Sequence, residues 1–135
     1  MADLTITATS VIQGTGAETE QGTAGASITA GQPVYKDSTD SNKLKLCDGD
    51  VLLTAACVGI SLHAAANGQP LLYQKRGILA IGATVAVGQA YYVSLTAGGI
   101  CPFADLGSGD FPVKIAVGMT TSTVQVLIEN PGIAI

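Results

Sequence analysis

Residues 33–46 read PVYKDSTDSNKLKL. Pro33-Val34-Tyr35 opens an extended run, and proline is tolerated at the first residue of a strand because the N–H it lacks is not needed there. Asp37 to Asn42 is a polar turn made of residues whose side chains bond their own backbone. Lys43-Leu44-Lys45-Leu46 then alternates polar and apolar side chains, the period of a strand with one buried face. The stretch predicts a β-hairpin, and it sets the reading of its neighbours.

Toward the C-terminus the same grammar repeats. Phe111 to Met119 (FPVKIAVGM) and Thr123 to Glu129 (TVQVLIE) form a second hairpin through Thr120-Thr121-Ser122. Val58–Leu62, Pro70–Gln74, Ile78–Ile81, Gln89–Ser94 and Ile100–Pro102 read as further strands. Lys75-Arg76-Gly77 and Ala97-Gly98-Gly99 read as turns between them. Asp50 is placed to N-cap the one candidate helix, DVLLTAAC at 50–57. The expectation is an all-β chain, a small barrel or sandwich of about 8–10 short strands with at most one short helix. Three Gly-Gln steps, Gly31-Gln32, Gly68-Gln69 and Gly88-Gln89, each lead into an aromatic strand and read as a recurrent corner.

Toward the N-terminus the pattern loosens. Leu4, Ile6 and Ala8 alternate with threonines, as in a strand or extended arm. Residues 13–26 (QGTGAETEQGTAGA) hold four glycines and no large apolar side chain. They are expected to be a mobile loop, or an arm that orders only against a partner. Residues 1–26 are therefore read as a flexible or extended arm and 27–135 as a single β domain.

Composition narrows the function. Apolar residues make up 47% of the chain and charged residues 12%, about half the usual share. This is too hydrophobic for disorder, and a charge-poor surface is easily buried against a partner. Six basic residues are scattered through a chain of net charge −4, with no basic stripe, which argues against nucleic acid and against electrostatic membrane binding. Apolar runs fall far short of the ~20 residues of a membrane span. The start, MADLTITATS, lacks the basic and apolar regions of a signal peptide, so cytoplasmic synthesis is expected. Cys47, Cys57 and Cys101 are odd in number and form no C-x-x-C, which fits buried thiols in a reducing compartment.

No constellation for chemistry stands out. His63 is the single histidine and lacks ligand spacing to the cysteines. Ser61 lies in G-I-S-L, not in G-x-S-x-G. The pairs Asp37/Asp40, Asp48/Asp50 and Asp105/Asp110 all sit in turns that explain them. No catalytic residue, metal ligand, cofactor or small-molecule substrate is expected, so the chain is not read as an enzyme. Tyr35, Tyr73, Tyr91 and Tyr92 are contact candidates, since tyrosine combines an apolar ring with a polar tip. Of Tyr91 and Tyr92, adjacent on one strand, one ring must turn in and the other out. Leu4 and Ile6 on the arm, and Ile133 and Ile135 in the closing PGIAI, complete the candidate contacts.

The stretches AGQPVYKD (30–37), VGISLHAAANGQPL (58–71), GATVAVGQAYYVS (82–94) and AGGICPFADL (97–106), with the closing strand pair, resemble the small capsid decoration (cement) proteins of tailed bacteriophages. The likeness runs from about Ala30 onward and rests on glycine-bounded short strands. It implies a structural virion protein on the capsid exterior, made in the host bacterial cytoplasm. It further implies a homotrimer that bridges major capsid subunits and carries no catalytic residues. The arm would then add a strand to the shell. A second reading is a head-fibre or tail-associated β module that binds carbohydrate or another virion protein. Exposed aromatics lining a groove are its requirement.

Overall fold

The hairpin at 33–46 forms. In the structure, a computed structural model that describes residues 3–135, Pro33–Asp37 pairs antiparallel with Lys43–Leu46, Val34 opposite Leu46 and Asp37 opposite Lys43. Met1 and Ala2 of the expected arm lie outside the described residues. Ten antiparallel strands make a curled half-barrel sheet. They are β1 (Val11–Gln13), β2 (Glu18–Thr23), β3 (Pro33–Asp37), β4 (Lys43–Leu46), β5 (Gly59–Ser61), β6 (Pro70–Ile81), β7 (Ala90–Val93), β8 (Ile100–Pro102), β9 (Lys114–Gly118) and β10 (Thr123–Glu129). One four-residue helix, α1 (Leu52–Ala55), interrupts them. The chain is all-β, as its turn spacing predicts.

Strand β6 organises the molecule. Its first half pairs with β2 on one side (Thr23 opposite Pro70) and β5 on the other (Ser61 opposite Tyr73). Its second half pairs with β1 (Val11 opposite Ile81) and β10 (Val126 opposite Gly77). The expected turn at 75–77 is therefore a correction: the run is one 12-residue strand. Two local devices redirect it without reversing it. The register with β2 slips between Glu18 and Thr19, leaving Lys75 as the extra residue of a bulge, and Gly77 sits at φ +93.

Each half of β6 serves one lobe. In the smaller lobe β2, β6, β5, β3 and β4 curl around Ile28, Val34, Leu44, Leu71 and Tyr73, all at most 1% exposed. A parallel bridge between Ala24 and Leu44, with Gly25 N–H donating to Leu44 O (2.7 Å), ties the chain after β2 to β4. In the larger lobe β1, β6, β10, β9, β7 and β8 enclose Leu79, Ile81, Val93, Ile100, Ile115 and Val124.

The N-terminal segment belongs to both lobes. Leu4 N–H donates to Ile100 O and Thr7 N–H to Gly82 O (2.8 Å each), carrying the chain from β8 across to β1. A 3-10 turn at Ala8–Ser10 breaks the strand expected there. The loop expected over 13–26 gives way to β2. The reason is steric: a Cβ at Gly22 would stand 2.8 Å from Leu44 Cδ1, so the inward positions of β2 must be small. Without large apolar residues, the strand is invisible to hydrophobic periodicity.

Two of the three Gly-Gln steps share a mechanism. Gly31 and Gly68 take φ +85 and +91, and the next glutamine accepts from the N–H three residues back, Thr29 to Gln32 Oε1 (2.9 Å) and Ala66 to Gln69 Oε1 (2.8 Å). The helix is shorter than 50–57 and Asp50 does not cap it. Val51 holds the N-cap position, while Asp50 N–H donates to Asp48 Oδ1 (3.2 Å) in a local turn.

The β3–β4 turn is anchored by Asp37, 6% exposed. Its Oδ2 accepts from Lys45 Nζ (2.8 Å), and its Oδ1 from Thr39 Oγ1 (2.6 Å) and Thr39 N–H (3.0 Å). The Lys45 bond first, then the two Thr39 bonds, lower its pKa from 3.8 to about 2. A lowered carboxylate pKa adds stability that is complete above pH 3.8 and is lost as pH falls through about 2. Urea midpoints measured across this window should therefore drop with acid. Asp37→Asn should flatten that slope and lower the midpoint at neutral pH.

Candidate functional site

The alternation of three strands brings charge to the open end of the smaller lobe. On β2 the inward row runs Gly22, Glu20, continuing from Ala24 just beyond the strand; on β3 it runs Val34, Lys36; on β6 it runs Leu71, Tyr73, Lys75. Each row begins in the apolar interior, and the charged ends meet at the mouth. Glu20 Oε2 lies 3.1 Å from Lys75 Nζ and Glu20 Oε1 lies 3.3 Å from Lys36 Nζ. The Lys75 bond, then the Lys36 bond, hold the Glu20 carboxyl below its usual pKa. Arg76, redirected by the bulge, meets Glu18 at 3.5 Å. Cys57, Val58, Leu127 and Ile128 complete a cleft of about 400 Å³ where β6 leaves β5 and takes up β10.

Beneath the ions stands Tyr73, fully excluded from solvent. Its hydroxyl has no hydrogen-bond partner among the described residues. Burial first, then the neighbouring Glu20 charge, push its pKa up to about 12, so it remains a donor. The Glu20 carboxylate stands close enough to accept from the hydroxyl, although the contact falls short of hydrogen-bond geometry here. An unpaired buried hydroxyl costs about 1–3 kcal/mol. Gln74, also buried, donates through Nε2 to Arg76 O (3.0 Å) and Ile78 O (2.9 Å), stapling the strand where it changes neighbours.

A second surface is apolar. Val51, Leu52 and Leu53 at α1, Leu95, Ile133 and Ile135 are each at least 41% exposed. Residues beside them in the chain tie these segments together. Gly49 N–H donates to Ser94 O (2.9 Å), Phe111 N–H to Gly49 O (2.9 Å) and Ile135 N–H to Asp110 O (2.9 Å). Three consecutive apolar residues on so short a helix cannot all turn inward, and that was the sequence signal for this patch.

The candidate contacts fall differently. Tyr35, Tyr73 and Tyr91 are buried, and Leu4 and Ile6 pack half-buried against the larger core. Tyr73 fills the smaller core, whereas Tyr91 and Tyr35, the latter on the face of β3 opposite Val34, pack into the larger one. Tyr91 Oη accepts from Ala86 N–H (3.0 Å). Tyr92 turns outward and meets Phe103 edge-on, ring centres 5.4 Å apart. Ile133 and Ile135 are exposed. Sequence reading missed the charged mouth because Glu20, Lys36 and Lys75 are far apart in the chain.

Groups that could do chemistry are otherwise engaged. His63 Nδ1 donates to Ala64 O (2.9 Å) and Nε2 accepts from Leu72 N–H (3.0 Å), so both ring nitrogens serve the backbone. Ser61 donates to Thr29 O (2.6 Å) and accepts from Gln32 N–H (3.0 Å). All three cysteines are free and buried. Burial first, then the neighbouring Cys57, raises the Cys47 thiol pKa well above its ordinary value. Donor atoms of Asp3, Cys101 and Asp105 lie within 4.8 Å of one another, the one such group among the described residues. Burial first pushes the Cys101 thiol to about 12, and Asp3 Oδ1 already accepts from Ser94 Oγ (2.6 Å), which makes this a poor ligand set. No helix among the described residues is long and apolar enough to cross a membrane. Comparison with protein-family models and with curated protein sequences finds no match to this chain.

Proposed function

We propose that this chain is a structural protein that works by adhesion to a protein surface. In this reading it is a decoration subunit on the outside of a tailed-phage head, where a homotrimer bridges major capsid subunits. The apolar end supports the reading best. Leu52 and Leu53 are 46% and 44% exposed and Ile133 is 69% exposed, on a chain with little surface charge. Clustered exposed side chains of this kind mark contact sites. They sit on backbone held by interlocking hydrogen bonds, so little order need be gained on docking. The engagement of His63, Ser61 and the thiols in internal contacts fits a protein that acts through contact.

Co-sedimentation of the purified protein with phage heads stripped of decoration tests this reading. The wild type should pellet with heads, and the double variant Leu52→Asp/Leu53→Asp should stay in the supernatant while keeping its circular dichroism spectrum. Wild-type protein that ignores heads, or a variant that binds as well, overturns it. Binding to a glycan array in place of heads would favour the fibre or tail reading.

A further inference from the structure

We propose that the mouth of the smaller lobe receives an acidic side chain from a protein partner, and that Glu20 holds the place of the incoming carboxylate. The inference rests on the reading of this chain as a surface-binding protein, and it names the chemistry of a contact separate from the apolar end.

Three of the six basic residues, Lys36, Lys75 and Arg76, gather at one opening in a chain of net charge −4. Lys36 and Lys75 both reach Glu20, at 3.3 Å and 3.1 Å, so their ammonium groups converge on one point at the surface. The single carboxylate between them belongs to Glu20, whose side chain is 41% exposed and is held there by the two lysines. Directly below, the solvent-excluded Tyr73 hydroxyl has no hydrogen-bond partner among the described residues. A carboxylate can accept roughly four hydrogen bonds, whereas Glu20 accepts one from each lysine. An incoming acid in the place of Glu20 would keep both lysines and stand over the tyrosine hydroxyl that Glu20 now neighbours. Leu127 flanks the opening and offers an apolar wall for the stem of that side chain. The cleft of about 400 Å³ takes one side chain and its adjoining backbone. Glu18, paired with Arg76 at the rim, repels extended polyanions and so favours an isolated acid.

The test titrates the full chain with a short peptide holding one glutamate between glycines, followed by two-dimensional amide NMR. Inorganic phosphate at matched ionic strength is a parallel arm. The peptide should shift the amides of Glu20, Lys36 and residues 73–77. Glu20→Gln removes the internal competitor at constant size and should tighten peptide binding about tenfold. Lys36→Gln with Lys75→Gln should weaken it by about tenfold or more. Tyr73→Phe should weaken it about threefold with the spectrum otherwise intact, since only one donor is lost. Peptide binding that Glu20→Gln fails to tighten, or phosphate shifting the same amides as strongly as the peptide, overturns the proposal. If stripped heads still bind while the peptide leaves the mouth unshifted, this inference fails and the adhesion reading stands. If heads do not bind at all, the adhesion reading fails on its own account.

Discussion

Gly77→Ala is expected to lower the stability of the protein by roughly 2–5 kcal/mol, a large share of what a domain of this size possesses. Two independent costs combine. Gly77 has φ +93, and a side chain in the left-handed region costs about 1–2 kcal/mol. A Cβ at this position would also overlap the Gly16 carbonyl oxygen and lie 2.7 Å from Ala17 N. Both are backbone atoms, so neither can rotate away, and overpacking of this kind adds about 1–3 kcal/mol. Gly88→Ala is the control. Gly88 has φ +80 with nothing within 4 Å of its would-be Cβ, so only the conformational cost applies. Urea unfolding should show a midpoint loss for Gly77→Ala about twice that of Gly88→Ala. Equal losses would mean that the Gly16 carbonyl yields easily.

A chain that begins at Gly14 is expected to lose cooperative folding altogether. Residues 3–13 supply Val11 to the larger core and pack Leu4 and Ile6 against it. Burying an apolar side chain contributes about 1.5–3 kcal/mol, so three of them, two only in part, approach the whole net stability of a domain. The deletion also removes the β1 ladder and the bonds from Leu4 to Ile100 and from Thr7 to Gly82, baring the edge of β8. An uncovered edge next to an opened core invites aggregation. Thermal unfolding followed by circular dichroism, with a hydrophobic dye as second readout, checks this. A truncated chain that melts within a few degrees of the full one would restore the view of this segment as a dispensable arm.

Where side chains announce their own burial, the sequence is readable. Thr123–Glu129 and Lys43–Leu46 alternate apolar and polar residues, and both form strands at the expected positions. β2 escapes because its inward Gly22, and Ala24 just after it, are small enough to fit over Leu44. Small residues carry no hydrophobic signal, so a packing constraint looks like a linker. The false turn at 75–77 has a related origin. Lys75-Arg76-Gly77 is turn-like locally, and only the neighbours that β6 acquires on each side decide that the strand bends here without reversing. Ile133 and Ile135 are exposed, whereas Tyr73 faces the smaller core and Tyr35 and Tyr91 the larger one. The charged mouth depends on residues contributed by three strands, and pairing of distant strands is the information that a local pattern lacks.

The uninterrupted run of β6 has a mechanical consequence. It acts as a common axle, so neither hydrophobic interior can loosen without dragging the backbone of the other. Load applied at the Glu20 end would travel through covalent bonds to Ile81 instead of being absorbed at a flexible joint. The chain would thus resist stretching along β6 as one element, and its amides in both halves should exchange with solvent at a shared, slow rate.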